Sequence, residues 1–205
     1  NPARGILSNA DIDSLVNKVL EHGGLISHKH NADGTQSPYE MNINYFDALS
    51  DPAKLQPSSP AAGITYETLD LQVDRFSAAQ AIMLALIGVP GIYFHSLFGS
   101  RGWLAGVKQT GRNRTINREK LQLDELQDQL TDKNSLRSKV FTRYRQLLKA
   151  RSNTPAFHPH GTQNILDLHP AVFAIERISP DGRSRALCLQ NVSAQTINFT
   201  TIYES

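Results

Sequence analysis

Residues 88–118, reading G-V-P-G-I-Y-F-H-S-L-F-G-S-R-G-W-L-A-G-V-K-Q-T-G-R-N-R-T-I-N-R, constrain this chain most. An apolar helix must end at Gly88 and Pro90, because proline lacks an amide hydrogen and its ring clashes with the preceding turn. Residues 91–94 are short, apolar and without polar alternation, the pattern of a buried parallel strand. His95 and Ser96 follow at its carboxyl end, where α/β proteins place their chemistry. A lone histidine serves there equally as a buried structural residue. Residues 98–115 read as a long loop in which Gly99, Gly102, Gly106 and Gly111 permit tight or left-handed backbone. Arg112, Arg114 and Arg118 offer planar forks for carboxylate, phosphate or paired hydroxyls. The G-x-x-x-x-G-K-[ST] phosphate loop is absent. The bland alternative is a solvated loop whose charges serve solubility.

The preceding chain alternates helix and turn. Residues 8–22 form a helix with Ser8 as its cap, Asp11 and Asp13 at its positive end and an apolar stripe through Ile12, Leu15, Val16, Val19 and Leu20. Gly23-Gly24 ends it. Residues 25–30 alternate as a half-exposed strand, Asn31-Ala32-Asp33-Gly34 is a turn, and 39–45 is the returning arm. His28 and His30 share a strand face. With no carboxylate or cysteine nearby to complete a ligand set, they read as solvated side chains and not as a metal pair. Residues 42–49 mix aromatic and amide side chains, a combination that suits sugars, since rings stack on apolar faces and amides meet hydroxyls. Loop packing explains the same residues. Three prolines make 51–62 a loop, and 69–87 is a helix apolar nearly all round from Ala78 onward, as a helix sandwiched by protein would be.

Residues 121–130 and 135–151 are two more helices, stopped by Thr154-Pro155-Ala156-Phe157. Beyond His158 the pattern changes to strands at 164–168, 171–178, 185–190 and 196–203, joined by Pro180-Asp181-Gly182 and Asn191-Val192-Ser193. Strands without helices between them indicate an all-β module. His158-Pro159-His160 reads as linker. Asn191-Val192-Ser193 and Asn198-Phe199-Thr200 match glycosylation acceptors, which carry no meaning without a secretory context.

At 205 residues and a net charge of +2, the chain is long enough for a sizeable core and lacks the basic stripe of a nucleic-acid binder. The single Cys188 excludes an internal disulfide, fits a reducing, cytoplasmic compartment and reads as a small buried hydrophobe. Polar and helix-breaking residues interrupt 76–94, so no membrane span is expected.

Three blocks carry a family resemblance. Tyr39-Glu40-Met41-Asn42 through Tyr45-Phe46-Asp47-Ala48-Leu49 resembles a mobile substrate loop. Residues 78–94, ending G-V-P-G-I-Y-F, resemble the helix and final strand of a barrel. Arg114-Thr115-Ile116-Asn117-Arg118 resembles an R-x-I-N-R segment, and the trailing helix with Arg151 and Pro155-Ala156-Phe157 also fits. On these residues the chain is similar to the carboxyl-terminal part of glycoside hydrolase family thirteen, within the sucrose phosphorylase subfamily and its glucosylglycerate phosphorylase branch.

That resemblance implies an α/β plus all-β fold: 1–157 as the incomplete carboxyl-terminal part of a (β/α)8 barrel, and 158–205 as a truncated β-sandwich domain. It implies α-glucosyl transfer between a small glucoside and phosphate through a covalent intermediate, with paired carboxylates doing the chemistry. None of this chain's carboxylates matches those motifs, so catalytic residues, metals and cofactors are all expected to be none. The resemblance gives Arg114 as the arginine that hydrogen-bonds the glucosyl unit, with Arg112 as rival because the local spacing differs. Tyr39 and Glu40 match the acceptor or phosphate side, and His95 remains a substrate-binding candidate from its place after the strand. Glu40 stands where sucrose-using members carry glutamine. A carboxylate repels phosphate unless it is paired, which points away from sucrose and leaves the glycerate branch or another acceptor. The expected partners are an α-glucoside and phosphate, with a homo-oligomer or a further part of the protein covering the incomplete barrel. The competing readings are a hydrolase or transglucosidase of the same family and, from another class, a non-catalytic carbohydrate-binding or interaction module.

Overall fold

Ser8 closes the first helix chemically as well as geometrically. Its Oγ accepts from the Asp11 amide at 3.2 Å, and Asp11 Oδ2 accepts from the Ser8 amide at 2.8 Å. This reciprocal box satisfies two amides that a helix start leaves unpaired. The computed structural model describes residues 5–55 and 66–198, and it divides into two compact units, Asn1–Phe76 with Tyr93–Phe141 and Ser77–Ile92 with Thr142–Ser205.

The first unit begins with α1 (Asn9–Glu21). Gly23 takes a positive φ of 79°, the left-handed conformation that glycine adopts at no steric cost. A hairpin follows, β1 (Leu25–His30) against β2 (Gln36–Asn42), antiparallel. Its turn is tied by Asn31 N donating to Thr35 O at 2.8 Å and Thr35 N donating to Asp33 Oδ1 at 2.9 Å. The returning arm thus comes earlier than residues 39–45, because the turn closes by Thr35. Tyr45 instead opens the short helix α2 (Tyr45–Ala48). Phe46, 1% exposed, anchors this unit against Phe76 of α3 (Leu69–Ala85), with ring centroids 5.1 Å apart.

After Ile92 the chain corrects two expectations. Residues 91–94 form no strand. Tyr93 is extended, but it finds no ladder partner among the described residues, and Phe94 already begins α4 (Phe94–Leu97). Tyr93 and Phe94 are about half exposed, so this stretch is not buried. A strand is a paired object, and apolar sequence cannot supply the pair. The expected loop 98–115 contains a helix, α5 (Leu104–Thr110), and a 3-10 turn over Asn113–Asn117. Helices α6 (Leu123–Thr131) and α7 (Leu136–Asn153) follow.

The second unit holds the end of α3, most of α7 and a three-stranded antiparallel sheet. The strands β3 (Thr162–His169), β4 (Val172–Ile178) and β5 (Arg185–Asn191) lie in sequential order. The central strand β4 carries Ala174, Ile175 and, fully buried, Arg177. That guanidinium donates to carbonyls only: Ala85 O at 2.8 Å, His158 O at 3.0 Å and Thr162 O at 3.2 Å. Arg151 donates to the carbonyls of Leu84 and Gly88, so two arginines meet the acceptors that the end of α3 leaves open. Tyr144 donates to Gln80 within the same core. From Ala78 to Ala85 no residue of α3 is exposed, whereas Leu86, Ile87 and Val89 beyond its end are. Cys188 is half-buried, with burial pushing its thiol pKa up. The strand expected at 196–203 falls largely outside the described residues, as does part of Asn198-Phe199-Thr200 and most of the proline-rich loop.

Candidate substrate site

Asp47 fastens the stretch 44–47 to the segment after α4. Its Oδ2 accepts from the Gly102 amide at 2.6 Å, and its Oδ1 accepts from Arg101 Nη1 at 3.0 Å. Arg101 Nη2 reaches Gln72 Oε1 at 2.7 Å, while the guanidinium carbon stands 4.8 Å from the centre of the Phe46 ring. Asn44 donates to Arg101 O at 2.6 Å. Gly102 suits this closeness, since a Cβ there would lie 3.0 Å from the Ile116 side chain and press on it.

From that knot the chain runs through α5 to a turn at Gly111 (φ 65°), then into the 3-10 turn. Trp103 N donates to Ile116 O at 2.9 Å, which folds the segment back on itself. Asn113 Nδ2 donates to Ile26 O at 3.1 Å, tying the 3-10 turn to β1. Asn42, nearly inaccessible, donates to Ser27 Oγ and to Glu40 O, which holds the facing strand.

These ties bring Arg114 and Glu40 together. One guanidinium nitrogen, Nη2, lies 3.1 Å from each Glu40 oxygen, with the side chains 50% and 35% exposed. Tyr39 sits beside them in a bulge. Ser27 pairs with Glu40 and His28 with Pro38, so Tyr39 has no partner across the hairpin. A bulge re-aims the side chain it carries, and Tyr39 is 67% exposed.

The other two candidates lie apart from this corner in their bonding. Arg112 is exposed and is engaged through its backbone, its amide donating to Thr110 Oγ1 at 3.3 Å and its carbonyl accepting from the Thr115 amide at 3.0 Å. His95 is buried. Its Nδ1 meets Ser100 Oγ at 3.0 Å. Burial, helped by the neighbouring Arg137 charge, holds its pKa below the ordinary histidine value, against the opposing pull of Glu119. Burial thus favours the neutral imidazole, whose Nδ1 is engaged inside the protein. Asp47, Arg101, Asn42 and Asn113 escaped the sequence reading as site builders. Asp47 lay within a conspicuous block, but nothing local pairs it with an arginine 54 residues away. Among the described residues no group of three or more histidine, cysteine, aspartate or glutamate side chains could hold a metal ion. No described helix is long and apolar enough to cross a membrane.

No family model matches the chain. It is 45% identical over 192 residues to the glucosylglycerate phosphorylase of Spirochaeta thermophila, covering 94% of this chain and 30% of that protein. The glucosylglycerate phosphorylase of Allomeiothermus silvanus is 40% identical over 192 residues, and that of Escherichia coli 36% over 208 residues. Those matches cover 94% and 99% of this chain and 32% and 34% of the relatives. The chain thus spans about a third of the length of these curated relatives. The crystal structure of sucrose 6F-phosphate phosphorylase from Thermoanaerobacter thermosaccharolyticum matches with a TM-score of 0.69 at 21% identity, over 93% of this chain and 33% of that one, which shows a shared fold.

Proposed function

We propose that the chain, which spans about a third of the length of these phosphorylases, belongs to their family and forms one wall of the sugar site of an α-glucosyl-transferring phosphorylase. In this reading Arg114 hydrogen-bonds the glucosyl unit, with Arg112 as its alternative, and Tyr39 and Glu40 line the side that receives acceptor or phosphate. His95 sits behind that wall. The attacking and protonating carboxylates come from elsewhere in the whole protein, and the isolated chain supplies binding without bond-breaking. Residues 1–157 belong with a (β/α)8 barrel, and 158–205 belong with a β-domain.

The observation that carries the reading is the Glu40–Arg114 pair. It joins two blocks of the family resemblance and meets the condition under which a carboxylate tolerates phosphate beside it, because the arginine offsets its charge. The identities with three glucosylglycerate phosphorylases favour a small hydroxy acid as acceptor. Exposed Leu86, Ile87 and Val89 argue against a self-contained binding module. Cytoplasmic residence and assembly with a second copy or a further part of the protein complete the proposal.

A chimera tests it. This chain replaces the matching segment of the Spirochaeta thermophila enzyme, and glucosyl phosphate release is measured with phosphate and glucosylglycerate or sucrose. Phosphate-dependent turnover of glucosylglycerate is the expected result. A folded chimera that releases free glucose without phosphate supports a hydrolase or transglucosidase instead. Turnover by the isolated chain refutes the non-catalytic role.

A further inference from the structure

A cavity of about 450 Å3 opens in the first unit between residues 99–103, Glu119, Gln129 of α6 and the first turn of α7. Tyr39, Glu40, Arg112 and Arg114 do not line it. Its volume falls within the range of small-molecule sites.

Arg137 lines it, with a side chain only 16% exposed. Nη1 donates to Ser100 Oγ at 2.8 Å, and Nε donates to Gln129 Oε1. Ser100 in turn meets His95, so the guanidinium is held from behind by a chain of buried polar groups. Nη2 makes no hydrogen bond among the described residues. Its nearest acid, Glu119 Oε2, is 3.8 Å away, within ion-pair range but beyond a direct hydrogen bond. The Glu119 carboxylate likewise accepts no hydrogen bond among the described residues.

A donor and an acceptor at that separation suit one guest group, a hydroxyl. It accepts from Nη2 and donates to the carboxylate at the same time. An anion would take the arginine but meet the Glu119 carboxylate, which, unlike Glu40, no arginine hydrogen-bonds among the described residues. A cation would do the reverse. Trp103 adds indole surface, and Gln129 an amide, to the lining. An aromatic surface beside donors and acceptors fits the two-sided character of a sugar ring. We propose that this cavity binds a neutral sugar or polyol through Arg137 and Glu119, at a site separate from the Glu40–Arg114 corner. This inference does not depend on the phosphorylase reading.

Trp103 is the only tryptophan in the chain, so its emission reports on this cavity. Titration of the full chain with D-glucose should give a saturable change in Trp103 fluorescence, together with saturation transfer from protein to glucose protons in NMR. Inorganic phosphate at matched ionic strength should give neither. Glu119→Gln should weaken glucose binding about tenfold, the loss expected for a charge-assisted hydrogen bond, while circular dichroism stays unchanged. Lys18→Gln, on the exposed face of α1, should leave glucose binding as it is. Absence of both glucose signals across the millimolar range overturns the proposal. So does saturation by phosphate in place of glucose, or a folded Glu119→Gln protein that binds glucose as before.

Discussion

Arg114 Nη2 lies 3.1 Å from each carboxylate oxygen of Glu40, across a sequence separation of 74 residues. Both partners are partly exposed, so water screens the pair and the energy at stake is small. Glu40→Gln should change unfolding free energy by less than about 1 kcal/mol, read from urea denaturation. In the chimera the same change should shift acceptor preference, because it frees Arg114 and removes a charge. A loss of several kcal/mol would mean that the pair holds the fold and not the site.

Asp47 should matter far more to stability than Glu40. It is 18% exposed and accepts from both a guanidinium and a backbone amide. Asp47→Asn leaves Arg101 without its counter-charge and turns one acceptor into a donor facing donors. The expected cost is about 2 kcal/mol or more. Combining Asp47→Asn with Arg101→Ala in a double-mutant cycle should give strong coupling, whereas additive losses would refute the knot.

His95 gives the first unit a pH dependence of definite sign. Its folded pKa lies below the ordinary 6.5, chiefly because burial disfavours the imidazolium. The unfolded chain then binds more protons in this range, so stability rises with pH. The contribution is complete above 6.5 and is lost as pH falls from there toward the lower folded value. Wild type minus His95→Gln, compared by urea unfolding from neutral to mildly acidic pH, should show this slope. A flat difference would sink the assignment.

Two glycines in one helix and its cap separate space from backbone. A Cβ on Gly106 would lie 2.1 Å from the Trp103 ring, while one on Gly111 meets nothing within 4 Å but sits at φ 65°. Gly106→Ala should therefore displace the indole, shift its emission and cost about 1–3 kcal/mol. Gly111→Ala should cost about 1 kcal/mol through backbone strain and leave the emission unchanged. Equal emission spectra for the two variants would contradict the packing.

Arg177 tests the buried carbonyl cluster. Arg177→Met keeps the length of the side chain but strips hydrogen bonds from the carbonyls of Ala85, His158 and Thr162. Amide exchange in β4 should accelerate and stability should fall by about 3 kcal/mol. Unchanged protection would mean that water replaces the guanidinium.

Much of the fold was legible because its signals are local. Ser8 with Asp11, Gly23, the Asn31-Ala32-Asp33-Gly34 turn and Pro90 act within a few residues, and the helices and strands they bound stand within a few positions of expectation. Residues 91–94 misled because a strand requires a pairing neighbour that lies in no local pattern. Helix α5 was hidden by Gly106, which weakens helix propensity but is demanded by the Trp103 ring. Of the site, the sequence by itself determined the residue types: the tyrosine and glutamate of one block and the arginines of another. Only the tertiary structure decided that Tyr39 is the bulged residue, that Asp47 clamps Arg101, and that Glu40 meets Arg114 while His95 turns to Ser100. The Asp47–Arg101 and Glu40–Arg114 pairings span distant stretches of chain, and charge–charge and hydrogen-bond energies act through space, where sequence proximity has no part in choosing the partner.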